Sequence, residues 1–405
     1  MEAKRNKNLI FVEQFFYPEA WGGVQLTRDF CRTLNEVYKV KVFSGTRQLI
    51  EGNDIENVNP ESLGIDLIKI RSLLKRPKNL FQKLIDNIYF SLRVFLKILF
   101  VKNADVIFVQ TNPPPILISI WLVCCLKRIP YVINCWDIYP EVLVAHKKLK
   151  PSIVLNLISF FFSLAYKNAK FVFSLGPEMR KCLIKKGVNS KKLVYLPTWA
   201  TGDLKNCKPE NNFLIKEWDA KAKIRIVYSG NLGLAHNALP FLEALSKCNI
   251  SKNKLQMFFV TKGQSVQEAI NYVAKNNLQN LVTFKDPVNS SLMPKVMSLS
   301  NLGFVCIRDG FEGLVNPSKV AGYLARGLPI IYVGPPSDVS DLIKKANCGF
   351  SFSSNDIRGI TKFLNKLARS EIDLLKLSIN ATNYYQETLS FKKARIKIKK
   401  IFKEV

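Results

Sequence analysis

Residues 316–329 read Asn-Pro-Ser-Lys-Val-Ala-Gly-Tyr-Leu-Ala-Arg-Gly-Leu-Pro and run straight into the apolar Ile330-Ile331-Tyr332-Val333. That order predicts a loop, a short helix from Pro317-Ser318-Lys319, a turn at Gly327 and a buried strand. The start of such a helix presents unpaired N–H groups and a partial positive charge, here with a hydroxyl and an ammonium beside them. Asn316, Pro317, Ser318 and Lys319 therefore form a candidate phosphate cradle. A second group, Ser229-Gly230-Asn231-Leu232-Gly233, closes one strand-like run and leads towards a helix. A Gly-Asn-x-Gly turn after a strand is a candidate phosphate or sugar contact. Lys262 and Gly263 end the next strand-like run, and the lysine is read either as a ligand cation or as an ordinary surface lysine. A third group, Asn134-Cys135-Trp136-Asp137-Ile138-Tyr139-Pro140-Glu141, puts Asp137 just past a strand end. An acid there would accept a hydrogen bond from a bound hydroxyl or take its proton, unless it merely caps a helix. The fourth is Gly22-Gly23, between the first strand and a helix opening at about Gln25, and it reads as ligand-facing backbone or as a plain tight turn.

All four groups need strand ends and helix starts to hold them, and the chain supplies these in alternation. Short apolar runs at residues 9–12, 40–43, 66–70, 106–109, 131–134 and 171–174 are separated by helix-length segments such as 25–34 and 116–127. A second cycle starts at residue 224 and continues through 255–260, 281–284, 302–307 and 330–333. Such alternation predicts doubly wound parallel sheets. The expected organisation is a Rossmann-like domain over residues 1–200 and another over 201–385, facing across a cleft. A basic helix, 386–405, packs back on the first domain.

Composition narrows the partners. The chain has 405 residues, 60 Lys and Arg against 31 Asp and Glu, and a net charge of +29. That excess suits nucleic acid, an anionic membrane or an anionic substrate, and an AT-rich genome would also enrich lysine. Nucleic acid ranks last, because no recognised binding motif accompanies the charge. With two histidines and no C-x-x-C, the chain lacks metal-site spacing, and nine scattered cysteines argue for reduced thiols. No secretory h-region precedes the first strand, which predicts a cytoplasmic protein. Residues 116–126 and 153–165 are too short to span a bilayer and read as buried helices. Residues 81–100 differ. Phe81, Leu84, Ile85, Ile88, Leu92, Phe95, Leu96 and Leu99 line one helical face, while Phe90, Val94 and Ile98 form a second stripe near Lys83, Arg93 and Lys97. Two apolar faces with a cationic flank suit a helix lying at an anionic lipid surface, or one packed by protein on two sides.

Taken in order, the four groups resemble the motifs of family 4 glycosyltransferases. The 316–329 stretch resembles that family's donor-sugar motif, and Gly230-Asn231-Leu232-Gly233 and residues 134–141 resemble loops of its bacterial surface-polysaccharide branch. The resemblance covers about residues 9–350. It implies the GT-B fold, a nucleotide-sugar donor with UDP as the default nucleotide, and retention of configuration without a metal ion or other cofactor. It further implies a lipid-linked glycan acceptor in surface polysaccharide or lipopolysaccharide assembly, at the inner face of the plasma membrane. By the same resemblance Asp137 is the catalytic-loop residue, and Gly22 and Gly23 line the cleft. Gly230, Asn231, Lys262, Gly263 and residues 316–319 hold the donor. Two departures stand out. The family's paired glutamates, eight positions apart, fall on Leu314 and Gly322, and residues 234–237 lack the usual cation, leaving Lys262 or Lys319 to supply it. A non-catalytic GT-B partner protein and a sugar-nucleotide epimerase are the alternatives.

Overall fold

A computed structural model describes residues 7–16, 22–46, 63–74, 77–146, 152–201, 213–289 and 291–405. The chain forms two compact units. The first comprises Met1–Pro197, Gly313–Asn316 and Lys392–Val405, and the second Thr198–Glu312 and Pro317–Phe391.

In chain order the first unit contains β1 (Asn8–Glu13), α1 (Gly22–Asn35), β2 (Lys39–Gly45), β3 (Asp66–Ile70), α2 (Leu80–Leu99) and β4 (Val106–Gln110). It continues with α3 (Ile116–Lys127), β5 (Tyr131–Asn134), α4 (Glu141–Ala145), α5 (Ile153–Asn168), β6 (Phe171–Ser174), α6 (Pro177–Lys185) and β7 (Leu193–Tyr195). The second unit contains α7 (Leu214–Glu217), β8 (Ile224–Asn231), α8 (Leu239–Ser246), β9 (Leu255–Lys262), α9 (Val266–Lys275), β10 (Val282–Lys285) and α10 (Met293–Ser298). Then come β11 (Leu302–Cys306), α11 (Lys319–Ala325), β12 (Ile330–Val333), α12 (Asp338–Ala346), β13 (Gly349–Phe352), α13 (Ile357–Ala368) and α14 (Leu374–Tyr384). The last helix, α15 (Phe391–Lys403), returns to the first unit.

Each unit is built on one parallel sheet, in the order β3-β2-β1-β4-β5-β6-β7 and β10-β9-β8-β11-β12-β13. Both are Rossmann-like. The strand order reverses at β1/β4 and at β8/β11, and ligands of open α/β sheets collect outside the carboxyl ends of strands at such points. Strands such as β4 (VIFVQ) and β11 (LGFVC) are buried throughout because helices cover both sheet faces. On one face of the first sheet, Ile10, Val12, Ile107 and Val109 pack with side chains of α2, α3 and α5. On the other, Phe11 and Phe108 meet Phe30 of α1, and Phe402 of α15 lies 5.3 Å from Phe108. Right-handed crossovers require this sorting, since the chain steps one way through β1, β2 and β3 and the opposite way from β4 onward. Arg395 of α15 grips Glu36 with both nitrogens of its fork, and Lys399 joins it. Although desolvation opposes ionisation, hydrogen bonds from Arg395 and Lys399 hold the Glu36 carboxyl below its usual range.

Two expectations need correction, and on α2 a question left open is decided. Helix α1 opens at Gly22, not at Gln25, so both glycines occupy its first turn; residues 17–21 lie outside the described ones. On α2 the shorter stripe, Phe90, Val94 and Ile98, is the buried one, and the longer stripe from Phe81 to Leu96 is largely exposed. Helix α5 is not a buried helix: only Phe162, Ala165 and Tyr166 are buried, all in its second half.

Candidate functional site

In the first unit the site is the loop that follows β5. Thr111, fully buried just past β4, presents its hydroxyl oxygen to two consecutive amides, those of Trp136 (3.0 Å) and Asp137 (3.3 Å). The Trp136 indole N–H donates to Gln110, whose own amide nitrogen donates to Thr27 of α1 at 3.0 Å. Two side chains on β4 and its exit therefore fix the loop's backbone and its tryptophan. The next amide, Ile138 N, donates to the carbonyl of Leu314 at 3.4 Å, and the Asn316 side chain donates to Leu175 O at 3.2 Å. Residues 313–316 are thus built into the first unit. Gly313 has φ +70°, and a Cβ there would lie 2.8 Å from the Glu178 backbone, so only glycine fits.

Asp137 sits in this frame with its carboxyl pushed up to about 6 by desolvation, partly offset by a hydrogen bond from Tyr139. A carboxylate near neutrality at a strand end is suited to exchanging a proton with a hydroxyl. Burial also pushes the Tyr139 phenol up, keeping it a neutral donor.

In the second unit the strand ends bring Gly230, Asn231, Lys262, Gly263 and Lys319 together. Asn231 and Lys262 are register partners across β8 and β9, and Leu232 N donates to Lys262 O at 2.8 Å. Gly263, at φ +138°, lies so close to the Asn231 loop that a Cβ would meet Leu232 O at 2.4 Å. Gly230, at φ +116°, faces the Lys319 stem, whose Cε would be 3.7 Å from an added Cβ. Lys262 itself is exposed. Lys319 is different. Its ammonium lies 4.4 Å from the centre of the Tyr228 ring and donates to the Tyr228 hydroxyl at 3.2 Å, and that hydroxyl donates to Asn231 O at 2.9 Å. Among the described residues no acid pairs with Lys319. Desolvation pushes it down to about 8, so it stays charged at neutral pH.

The predicted cradle is divided by the structure. Ser318 is exposed at the N-cap of α11, without a side-chain capping bond, and Pro317 is buried. Asn316 belongs with the first unit, spent on Leu175. Two tyrosines complete the second-unit site without having been singled out in the sequence. Tyr228 carries Lys319, and Tyr323 of α11 accepts from Ser229 N at 2.9 Å, bolting the helix to β8. Gly303 on β11 makes room for that ring, because a Cβ would stand 2.3 Å from it. Tyr228 was visible only as part of the apolar run that opens the second cycle at residue 224, and nothing local marked Tyr323. Gly322 has open space: the nearest atom to an added Cβ is Arg326 Nη1, at 3.9 Å.

No family model matches the chain. Over 283 residues, 68% of each chain, it is 24% identical to the probable glycosyltransferase WbjE of Pseudomonas aeruginosa. Among solved structures it resembles HepE of Anabaena in complex with UDP-glucose, with a TM-score of 0.73 and 14% identity over 98% of this chain and 100% of that one. It also resembles WaaG, a glycosyltransferase involved in lipopolysaccharide biosynthesis, with a TM-score of 0.67 and 14% identity over 96% and 98% of the two chains. The fold is GT-B. Within the GT-B fold the Asp137 loop belongs to the N-terminal Rossmann-like unit, and the Gly230-Asn231 turn with Lys319 to the C-terminal one.

Proposed function

We propose that the protein is a retaining, metal-independent glycosyltransferase of the family 4 type, moving a hexose from a UDP-linked donor to a lipid-linked glycan in surface polysaccharide or lipopolysaccharide assembly. The observation that carries this reading is Lys319, a desolvated cation with no acid partner among the described residues, beside two glycines at positive φ. Such a charge is costly unless an anion joins it. A donor diphosphate supplies that anion, and its negative charge grows as the sugar–phosphate bond breaks. The similarity to WbjE and to a HepE structure containing UDP-glucose supports the same choice. Asp137, with its raised carboxyl, orients the acceptor hydroxyl and takes its proton as the new glycosidic bond forms. In this reading neutralisation of the leaving diphosphate falls to Lys319 and backbone amides, which are placed to act without reorganisation. The protein would work at the cytoplasmic face of the membrane, where a lipid-linked acceptor is presented.

A second reading, a non-catalytic GT-B protein, rests on Gly322 and Leu314, where the paired glutamates of the resembling family are missing. Nucleotide release from a panel of sugar donors, with and without a lipid-linked acceptor, separates the readings. Acceptor-dependent UDP release supports transfer. Donor turnover without acceptor supports an epimerase, and UDP binding absent altogether refutes a donor site at Lys319.

A further inference from the structure

Three helices of the first unit lie on one side of its sheet, since α2, α3 and α5 all bury side chains in the same core cluster. Their outward faces are apolar. On α2, Phe81 is 69% exposed, and Ile88 and Leu92 follow it along the helix. On α3, which packs against both neighbours, Leu126 is 67% exposed. On α5, Ile153 is 88% exposed, with Val154 and Phe160 near it. Scattered exposed apolar residues are ordinary on a soluble protein, but a contiguous set on three adjacent helices is not. No helix among the described residues is long and apolar enough to cross a membrane.

Charge decides what covers this face. The three helices carry a single acid, Asp86, which is buried and accepts from the amides of Leu73 and Leu74. Their basic side chains include Lys83, Arg93 and Lys97, all exposed. At the end of α2 a shallow hollow is lined by Arg93 and Lys97 together with Leu96, Phe100 and Val101. Two cations in a hollow with apolar walls match a lipid phosphate above its acyl chains. A second copy of this chain would instead set cations against cations. We infer that the α2–α3–α5 face docks on an anionic bilayer surface, with α2 and α5 lying in the interface and Arg93 and Lys97 receiving a lipid headgroup phosphate. This holds whether or not the protein transfers a sugar.

The test is co-sedimentation of the full chain with vesicles of phosphatidylcholine alone or mixed with phosphatidylglycerol, at low and high salt. Binding is expected only with phosphatidylglycerol present and is expected to weaken with salt. Each cation at an anionic surface is worth about fivefold in partitioning, so Lys83→Gln, Arg93→Gln and Lys97→Gln together should cost about a hundredfold. Ile153→Gln, Val154→Gln and Phe160→Gln should also abolish sedimentation. The same change at Leu375 and Ile379, equally exposed but on α14, should leave it intact. All these positions are exposed, so unchanged circular dichroism and melting accompany the expected result. Equal binding to neutral vesicles, or wild-type binding by either triple variant, overturns the inference. So does an absence of vesicle binding coupled to a dimer that the α5 variant converts to monomer, which would make the face an interface between copies.

Discussion

Replacing Lys319 with methionine should move stability and ligand binding in opposite directions. Methionine keeps most of the lysine stem against Tyr228 and removes the charge. In the folded protein the ammonium is pushed from 10.5 down to about 8 by desolvation, which corresponds to roughly 3 kcal/mol held against the charged form. The lost contact over the Tyr228 ring and the lost hydrogen bond to its hydroxyl give back about 1–2 kcal/mol. A net gain of about 1–2 kcal/mol remains at pH 7, a rise of a few degrees in melting of a unit this size. The sign depends on pH. Below pH 8 the lysine is charged in both folded and unfolded chains, so the wild type bears the full penalty. Between pH 8 and 10.5 the folded-state lysine loses its proton, and the advantage of the variant fades. UDP binding should meanwhile weaken by about 10- to 100-fold, the value of a charge-assisted bond to phosphate. Scanning fluorimetry across pH and titration calorimetry with UDP measure the two effects. A Lys319→Met protein that is less stable than wild type without nucleotide, yet binds UDP equally well, would refute the assignment and make the lysine a structural group.

Three further outcomes follow from the geometry. In the wild type, kcat/KM should fall as pH drops through about 6, where Asp137 takes up a proton; in Asp137→Asn that limb should vanish and kcat/KM fall about 100- to 10,000-fold. Thr111→Val leaves the amides of Trp136 and Asp137 without their acceptor, so chemical denaturation should show a loss of about 1–3 kcal/mol, with a matching fall in turnover. Gly322→Glu fits the open space beside Arg326. It should add about 1 kcal/mol of helix stability and tighten UDP binding about tenfold, and calorimetry showing unchanged or weaker binding would mark a donor site adapted to glycine.

The two parallel sheets were legible because fully buried strands appear as apolar runs with helix-length spacers between them. The runs at 106–109 and 302–307 could hardly be anything else. The edge strands β7 and β13 escaped, since they are three or four residues long and only partly buried. Helix α2 was recognised as two-faced, but which stripe faces the core depends on the neighbours it meets, and periodicity carries no such information. For α5 the error has the same origin: apolar content says a residue prefers burial, not that something buries it. Within the site, glycines and Asp137 announced themselves by their positions at strand ends. Thr111, Tyr228 and Tyr323 did not, because their roles arise from contacts across the sheet, 26, 91 and 94 residues away in the chain.

The return of α15 to the first sheet bears on how the polypeptide is made. Tyr38 donates its hydroxyl proton to Phe402 O at 2.6 Å, across 364 residues of chain, and Phe402 closes an aromatic cluster with Phe108 and Phe173. During synthesis the N-terminal unit therefore leaves the ribosome with the Phe108 face of its sheet covered by α1 but not yet by α15, while the C-terminal unit gathers all its strands first. Domains usually mature in the order of translation. Here the earlier-born half has to wait for α15, and a chaperone that shields the strip around Phe108 would be most needed in that interval.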